Sequence, residues 1–156
     1  MIDQSVKIWQ PSNINPAANI GKNVQIGAFT EIGPNVNIGD NVRIGAFCFI
    51  PEGVTIEDNA WIGPGVFFTN DRFPPSLKAE WEKTTVEQGA RLGARVTVIC
   101  GVLIGKNSLI GAGAVVTKNV PAGFVYAGVP ARPVKVSGMT AYDYTEDDVI
   151  IKAVMH

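Results

Sequence analysis

The sequence predicts an all-β chain wound as a parallel β-helix, and three observations predict it. A large apolar residue stands at every sixth position, a second column of mostly β-branched or small residues runs four places later, and glycine or asparagine punctuates the gaps. Helical spacing of apolar residues is absent.

The first column reads Ile2, Ile8, Ile14, Ile20, Ile26, Ile32, Ile38, Ile44, Ile50, Ile56, Ile62 and Phe68, and resumes as Val86, Leu92, Val98, Ile104, Ile110 and Val116. The second includes Val24, Thr30, Val36, Val42, Cys48, Val54, Val66, Val96, Val102 and Ser108. A unit this short cannot bury an apolar face alone; it does so only by stacking on its neighbours. In Val24-Gln25-Ile26, period-two alternation turns the outer residues inward and the middle one outward. Glycine follows the strand at 21, 27, 33, 39, 45, 63, 93, 105 and 111. Asparagine or glycine recurs two places later, at 23, 35, 41, 53, 59, 65, 89, 101, 107, 113 and 119, as turns with positive φ require. The short strands stack at about 4.8 Å per coil.

Both columns fail only between residues 72 and 80, where Arg72, Pro74, Lys78 and Glu80 replace apolar or small residues. One protruding loop, residues 69–85, is therefore expected on a solenoid of about six coils. A loop breaking an otherwise regular repeat marks the functional face. The repeat domain is set at 1–136, followed by a C-terminal extension, 137–156. There Thr145 and Asp148 are spaced to cap a short helix, a strand being the other reading.

If three repeats make a coil, residues 18 apart stack. Glu52 then lies below Asn70, Phe49 lies below Phe67, and Ala28, Ala46, Pro64, Ala94 and Ala112 line one corner. Such small residues leave a shallow groove for a slim chain bearing amide groups. Phe47 and Phe49 are placed to stack a base or sugar, or to meet another subunit.

The 156 residues are 46% hydrophobic and 17% charged with a net charge of -1, which gives no electrostatic reason for binding nucleic acid or an anionic membrane. The start, MIDQSVKIWQP, lacks the basic and apolar regions of a secretory signal, so the cytoplasm is expected. Cys48 and Cys100 form no metal-type spacing.

The period, the turns and the loop together resemble the hexapeptide-repeat acyltransferases. That resemblance implies a left-handed, triangular β-helix and a homotrimer with active sites between subunits. Residues 101–135, GVLIGKNSLIGAGAVVTKNVPAGFVYAGVPARPVK, resemble the coenzyme A-binding end of the acetyltransferases in this family. By that match acetyl-CoA is the co-substrate: Ala94 and Ala112 border its pantetheine arm, and Thr117, Lys118 and Arg132 meet its phosphates and adenine. An arginine fork and a lysine point charge suit phosphate.

The loop start, Phe68-Thr69-Asn70-Asp71-Arg72-Phe73-Pro74, resembles that of N-acetyltransferases acting on nucleotide-linked amino sugars, with UDP or dTDP as carrier. Asn70 and Asp71 stand where O-acetyltransferases of the family carry histidine. The only histidine here is His156. A hydroxyl acceptor needs a base, whereas a neutral amine attacks a thioester with less help. Asn70 and Asp71 are therefore expected to orient the amine, with Asp71 or Glu52 accepting its proton. One departure is Gly45-Ala46-Phe47, where several uronic-acid members carry Gln-Asn-Asn, so the particular sugar stays open. The alternatives are a sugar O-acetyltransferase of the galactoside or maltose type, and a non-catalytic β-helix assembly module. A zinc carbonic anhydrase of this fold requires three histidines and is excluded.

Overall fold

A computed structural model describes residues 2–134. They form a three-sided parallel β-solenoid in which each coil contributes one short strand to each of three sheets. The first sheet stacks β1 (Lys7–Ile8), β4 (Gln25–Ile26), β7 (Arg43–Ile44), β10 (Trp61–Ile62), β13 (Arg91–Leu92), β16 (Leu109–Ile110), β18 (Val125–Ala127) and β19 (Arg132–Pro133). The second stacks β2 (Asn13–Ile14), β5 (Glu31–Ile32), β8 (Phe49–Ile50), β11 (Phe67–Phe68), β14 (Thr97–Val98) and β17 (Val115–Val116). The third stacks β3 (Asn19–Ile20), β6 (Asn37–Ile38), β9 (Val54–Ile56), β12 (Thr84–Val86) and β15 (Leu103–Ile104). With β18 included, the first sheet has seven parallel rungs, slightly more than the six coils counted from the repeats. Then β19 returns antiparallel to β18.

Residues 18 apart do stack: Lys7 pairs with Gln25, and the amides of Asn23 and Asn41 hydrogen-bond at 3.2 Å. The inward columns are the core. Val24 and Ile26 are fully buried with Gln25 half-exposed between them. Ile8, Ile14 and Ile20 are only partly buried because no coil lies beneath them. Ile2, the first member of the column, is 44% exposed and precedes β1, so it does not join the core. Polar residues in the inward columns need internal partners. The buried Thr30 hydroxyl donates to the Gly45 carbonyl at 3.0 Å and accepts from the Cys48 N–H at 3.3 Å.

At the corners the glycine column has a steric cause. A Cβ on Gly93 would lie 2.6 Å from the Ala112 nitrogen of the next coil. The asparagine and glycine column adopts positive φ at residues 23, 35, 41, 53, 59, 65, 89, 101, 107 and 113. Three further residues at this same repeat position also do so: Phe29, Phe47 and Arg95, at φ 60°, 60° and 58°. All three lie on the corner between the first and second sheets. Among the described residues no helix is long and apolar enough to cross a membrane. The candidate helix near Thr145 and Asp148 lies outside the described residues.

Candidate functional site

The loop leaves after β11 and rejoins at β12, so it springs from the corner between the second and third sheets. Thr69 continues the ladder by donating its N–H to the Val98 carbonyl at 3.0 Å, and its hydroxyl accepts from the Cys100 N–H at 2.9 Å. Asn70 then donates its side-chain amide to the Glu52 carbonyl at 3.3 Å, which brings Asn70 directly over Glu52. The Asn70 carbonyl accepts the Glu82 N–H at 3.0 Å, closing the loop's exit on its entrance. Across this neck Arg72 reaches Glu82 through Nε–Oε1 at 2.6 Å and Nη2–Oε2 at 3.2 Å. The same Nη2 donates to the Cys100 carbonyl. Glu82 holds the guanidinium charged, raising the Arg72 pKa, while Arg72 lowers that of Glu82.

The Asp71 carboxylate faces its own loop. Oδ2 accepts the Ser76 N–H at 2.8 Å, and Oδ1 accepts the Ser76 hydroxyl at 2.8 Å and the Phe73 N–H at 3.1 Å. Partial desolvation pushes its pKa up, but the Ser76 and Phe73 hydrogen bonds outweigh it and leave the group below the ordinary aspartate range. Glu52 is also held low, first by Lys78, whose ammonium lies 2.6 Å from Oε2, and then by the Asn35 amide at 3.1 Å. Both carboxylates are therefore anions at neutral pH: good hydrogen-bond acceptors and weak bases. Lys78 belongs to a short 3-10 turn, Lys78–Glu80, so Glu52 ties the tip of the loop to the coil beneath it.

The small-residue corner forms as well, but on the other edge of the second sheet. The Gly113 N–H donates to the Ala94 carbonyl and the Gly65 N–H to the Ala46 carbonyl, both at 2.8 Å, stacking the column coil on coil. Ala112 is exposed, and a Cβ built on Gly113 would meet nothing within 4 Å. That corner is therefore open at Ala112 and Gly113. Thr117 and Lys118 follow β17 on the loop's corner, whereas Arg132 lies in β19 at the end of the first sheet, with Nη1 donating to the Ala131 carbonyl at 2.9 Å. Within one chain, then, Asn70, Asp71, Glu52, Thr117 and Lys118 share one corner, and Ala94 and Ala112 share another.

Sequence reasoning missed the Arg72–Glu82 clamp and the Lys78 tether, whose partners are set by loop conformation and not by the repeat. It placed a shallow groove along the small-residue corner with Phe47 and Phe49 able to stack a base or sugar, but missed that Phe29 and Arg95 also line this groove of about 630 Å³. Its signal was present: residues 29, 47 and 95 occupy the column otherwise filled by asparagine or glycine.

Residues 17–52 match the family model described as bacterial transferase hexapeptide (six repeats), and residues 35–70 and 83–118 match the hexapeptide repeat of succinyl-transferase. The chain is 44% identical over 66 residues to galactoside O-acetyltransferase of Lactococcus lactis subsp. lactis (strain IL1403), covering 40% of this chain and 32% of that protein. It is 40% identical over 62 residues to 2,3,4,5-tetrahydropyridine-2,6-dicarboxylate N-acetyltransferase of Staphylococcus aureus (strain JH9), covering 40% of this chain and 24% of that protein. These matches thus span a third or less of the curated relatives.

Among solved structures, a variant of GDP-perosamine N-acetyl transferase from Caulobacter crescentus, in complex with CoA and GDP-perosamine, superposes with a TM-score of 0.74 at 24% identity over 84% of this chain and 57% of that one. A variant of AntD, an N-acyltransferase from Bacillus cereus, in complex with dTDP-4-amino-4,6-dideoxyglucose and Coenzyme A, gives 0.74 at 24% identity over 87% and 83%. At these identities the superpositions establish a shared fold.

Proposed function

Because the chain belongs to the hexapeptide-repeat transferase family, we propose that it is an acetyl-CoA-dependent N-acetyltransferase acting on the amine of a UDP- or dTDP-linked amino-deoxy sugar, in the cytoplasm, for surface-glycan biosynthesis. The observation that carries this reading is the acceptor corner: Asn70 stacked over Glu52, with Asp71 beside it and no histidine anywhere before residue 156. The CoA and nucleotide-sugar complexes of the structural neighbours support it.

Acetyl-CoA supplies an acyl group already activated as a thioester. Ala94 and Ala112 border its arm along their open corner, and Thr117, Lys118 and Arg132 hold its phosphates and adenine. The two corners are on opposite edges of the second sheet, so one chain alone does not assemble the site. In a homotrimer the loop corner of one copy faces the small-residue corner of the next. Asn70 orients the acceptor amine. Asp71, or Glu52 beneath Asn70, accepts a hydrogen bond from that nitrogen and takes its proton as the C–N bond forms, when the nitrogen becomes strongly acidic. The proton then passes to the departing thiolate. The net reaction converts amine and thioester to amide and free thiol.

A thiol-release assay with acetyl-CoA tests this, using a panel of nucleotide-linked 3- and 4-amino sugars and matched hydroxyl sugars. Turnover of amines alone is expected, falling about 100-fold in Asn70→Ala if the amide orients the nucleophile. Turnover of hydroxyl sugars alone would instead identify a sugar O-acetyltransferase, the reading favoured by the match to the galactoside enzyme.

A further inference from the structure

The corner between the first and second sheets breaks a rule kept at the other two. At those, every described residue with positive φ in the repeat is asparagine or glycine. Here the column reads Phe29, Phe47, Gly65, Arg95, Gly113, with Phe29, Phe47 and Arg95 forced into a conformation disfavoured for bulky side chains. Strain confined to one corner, and repeated on three coils, points to a demand of function over folding.

The three residues also act on one space. Phe29 and Phe47 stack nearly parallel, ring centroids 5.0 Å apart and planes 7° apart, yet they remain 56% and 58% exposed. Beside them Phe49 and Phe67 form a second stacked pair at 5.9 Å on the outer face of the second sheet. All four rings line the 630 Å³ groove, a volume within the range of small-molecule sites. The next coil above Phe47 offers Gly65, and the side chain of Arg95 from the coil after that lies over it, its Cγ 3.2 Å from where a Cβ on Gly65 would sit. The groove is charged at opposite ends, by Glu31 on the coil of Phe29 and by Arg95 about three coil spacings, roughly 14 Å, above it.

Resting on the nucleotide-sugar reading above, we propose that this groove is the nucleotide-binding ledge, taking a uridine- or thymidine-type diphosphate. The base stacks on the exposed ring of Phe47, displacing the Arg95 side chain that lies over Gly65. Arg95, freed from Gly65, forks onto the diphosphate. Ring stacking is tolerant of base identity, and a guanidinium matches phosphate geometry. The ledge shares its corner with Pro64, Ala94 and Ala112. Acceptor and donor would therefore lie end to end along one edge of the solenoid, with the nucleotide on the lower coils and the coenzyme on the upper ones.

The test is equilibrium binding of UDP and dTDP, without coenzyme, to the full-length protein and to the variants Phe47→Ala, Phe47→Trp and Arg95→Ala. Oligomeric state is followed by light scattering. Binding should weaken at least tenfold in Phe47→Ala, survive in Phe47→Trp, and become less salt-sensitive in Arg95→Ala, with the oligomer unchanged. The proposal is overturned if the wild type binds neither nucleotide, if Phe47→Ala binds as tightly as wild type, or if Phe47→Ala loses binding only by dissociating the oligomer, which would make the ledge a contact between copies. Thiol release with free amino sugars in the absence of nucleotide binding would leave the transferase reading standing and remove the ledge. Intact nucleotide binding with no thiol release on any amine would do the reverse.

Discussion

Arg72 and Glu82 meet at 2.6 Å across the neck of the corner loop, and the same guanidinium donates to the Cys100 carbonyl of the coil above. Because both side chains are about one-third exposed, the pair adds little to global stability. Its work is local, fixing where the loop carries Asn70 and Asp71. Arg72→Ala should shift the melting temperature by no more than about a few degrees. Chymotryptic cleavage at the exposed Phe73, Leu77 or Trp81 should accelerate several-fold, and acetyl transfer should drop. A large fall in melting temperature with unchanged cleavage would show that the clamp holds the solenoid and not the loop.

The loop's response to acid follows from three depressed carboxylates. Glu82 is lowered by Arg72, and Glu52 by Lys78 and then Asn35; Asp71 is lowered because the hydrogen bonds from Ser76 and Phe73 exceed its desolvation. A carboxylate depressed in the folded state stabilises fully above its unfolded pKa, and that contribution disappears as pH falls through the folded value. Hydrogen-exchange protection factors across residues 69–83, corrected for the intrinsic pH dependence of exchange, should therefore stay level from about pH 7 down to about pH 5 and fall below about pH 4. Loosening between pH 8 and 6 would contradict these assignments.

Ser108 provides a contrast inside the barrel. It is 1% exposed and, among the described residues, its hydroxyl is the one buried side-chain polar atom without a hydrogen-bond partner. Ser108→Ala should be neutral or stabilise by up to about 1 kcal/mol in urea unfolding. Thr30→Val strips the Gly45 carbonyl and the Cys48 N–H of a partner, and should cost about 1–3 kcal/mol. Equal effects at the two sites would refute the distinction.

Gly93→Ala tests the tightness of the corner proposed to carry the coenzyme. The added Cβ would sit 2.6 Å from the Ala112 nitrogen and 3.0 Å from the Ile110 carbonyl oxygen, both backbone atoms with little freedom to move. A cost of roughly 1–3 kcal/mol is expected. Because the strain falls between Ala94 and Ala112, the KM for acetyl-CoA should rise more than the KM for the acceptor. An unaltered acetyl-CoA KM in folded protein would move the pantetheine arm elsewhere.

Most of the architecture was legible because one rule repeats. Ile26, Ile32 and Ile38 recur every six residues, a spacing that gives no common face on a helix, and Val24, Thr30 and Val36 complete the strand alternation. The same arithmetic placed Glu52 beneath Asn70 and Ala94 beneath Ala112 from residue numbers alone, given three repeats to a coil. Where the repeat is silent, so was the reading. Arg72, Lys78 and Glu82 find partners through a loop whose path no period encodes. Phe29 and Arg95 passed unnoticed because the turn column was read for the residues that obeyed it, while the informative ones were those that did not. Ile2 fits the periodic pattern but lacks a neighbouring coil to cover it, since periodicity reports a side chain's direction and not what lies beyond it.

The loop's position has a consequence for how such a chain can change. It is inserted at a vertex, between β11 and β12, and the ladders resume in phase above it: Trp61 pairs with Arg43 below and Arg91 above, and Phe67 with Phe49 and Thr97. The rungs above are therefore indifferent to how many residues the excursion holds. An exchange of the whole segment between Phe68 and Thr84 leaves every later side chain on its own face, whereas a single residue gained or lost within a strand rotates the alternation of all that follows. The loop can thus be rewritten wholesale while the rungs above it stay fixed, and the fold itself separates what is free to drift from what must keep count.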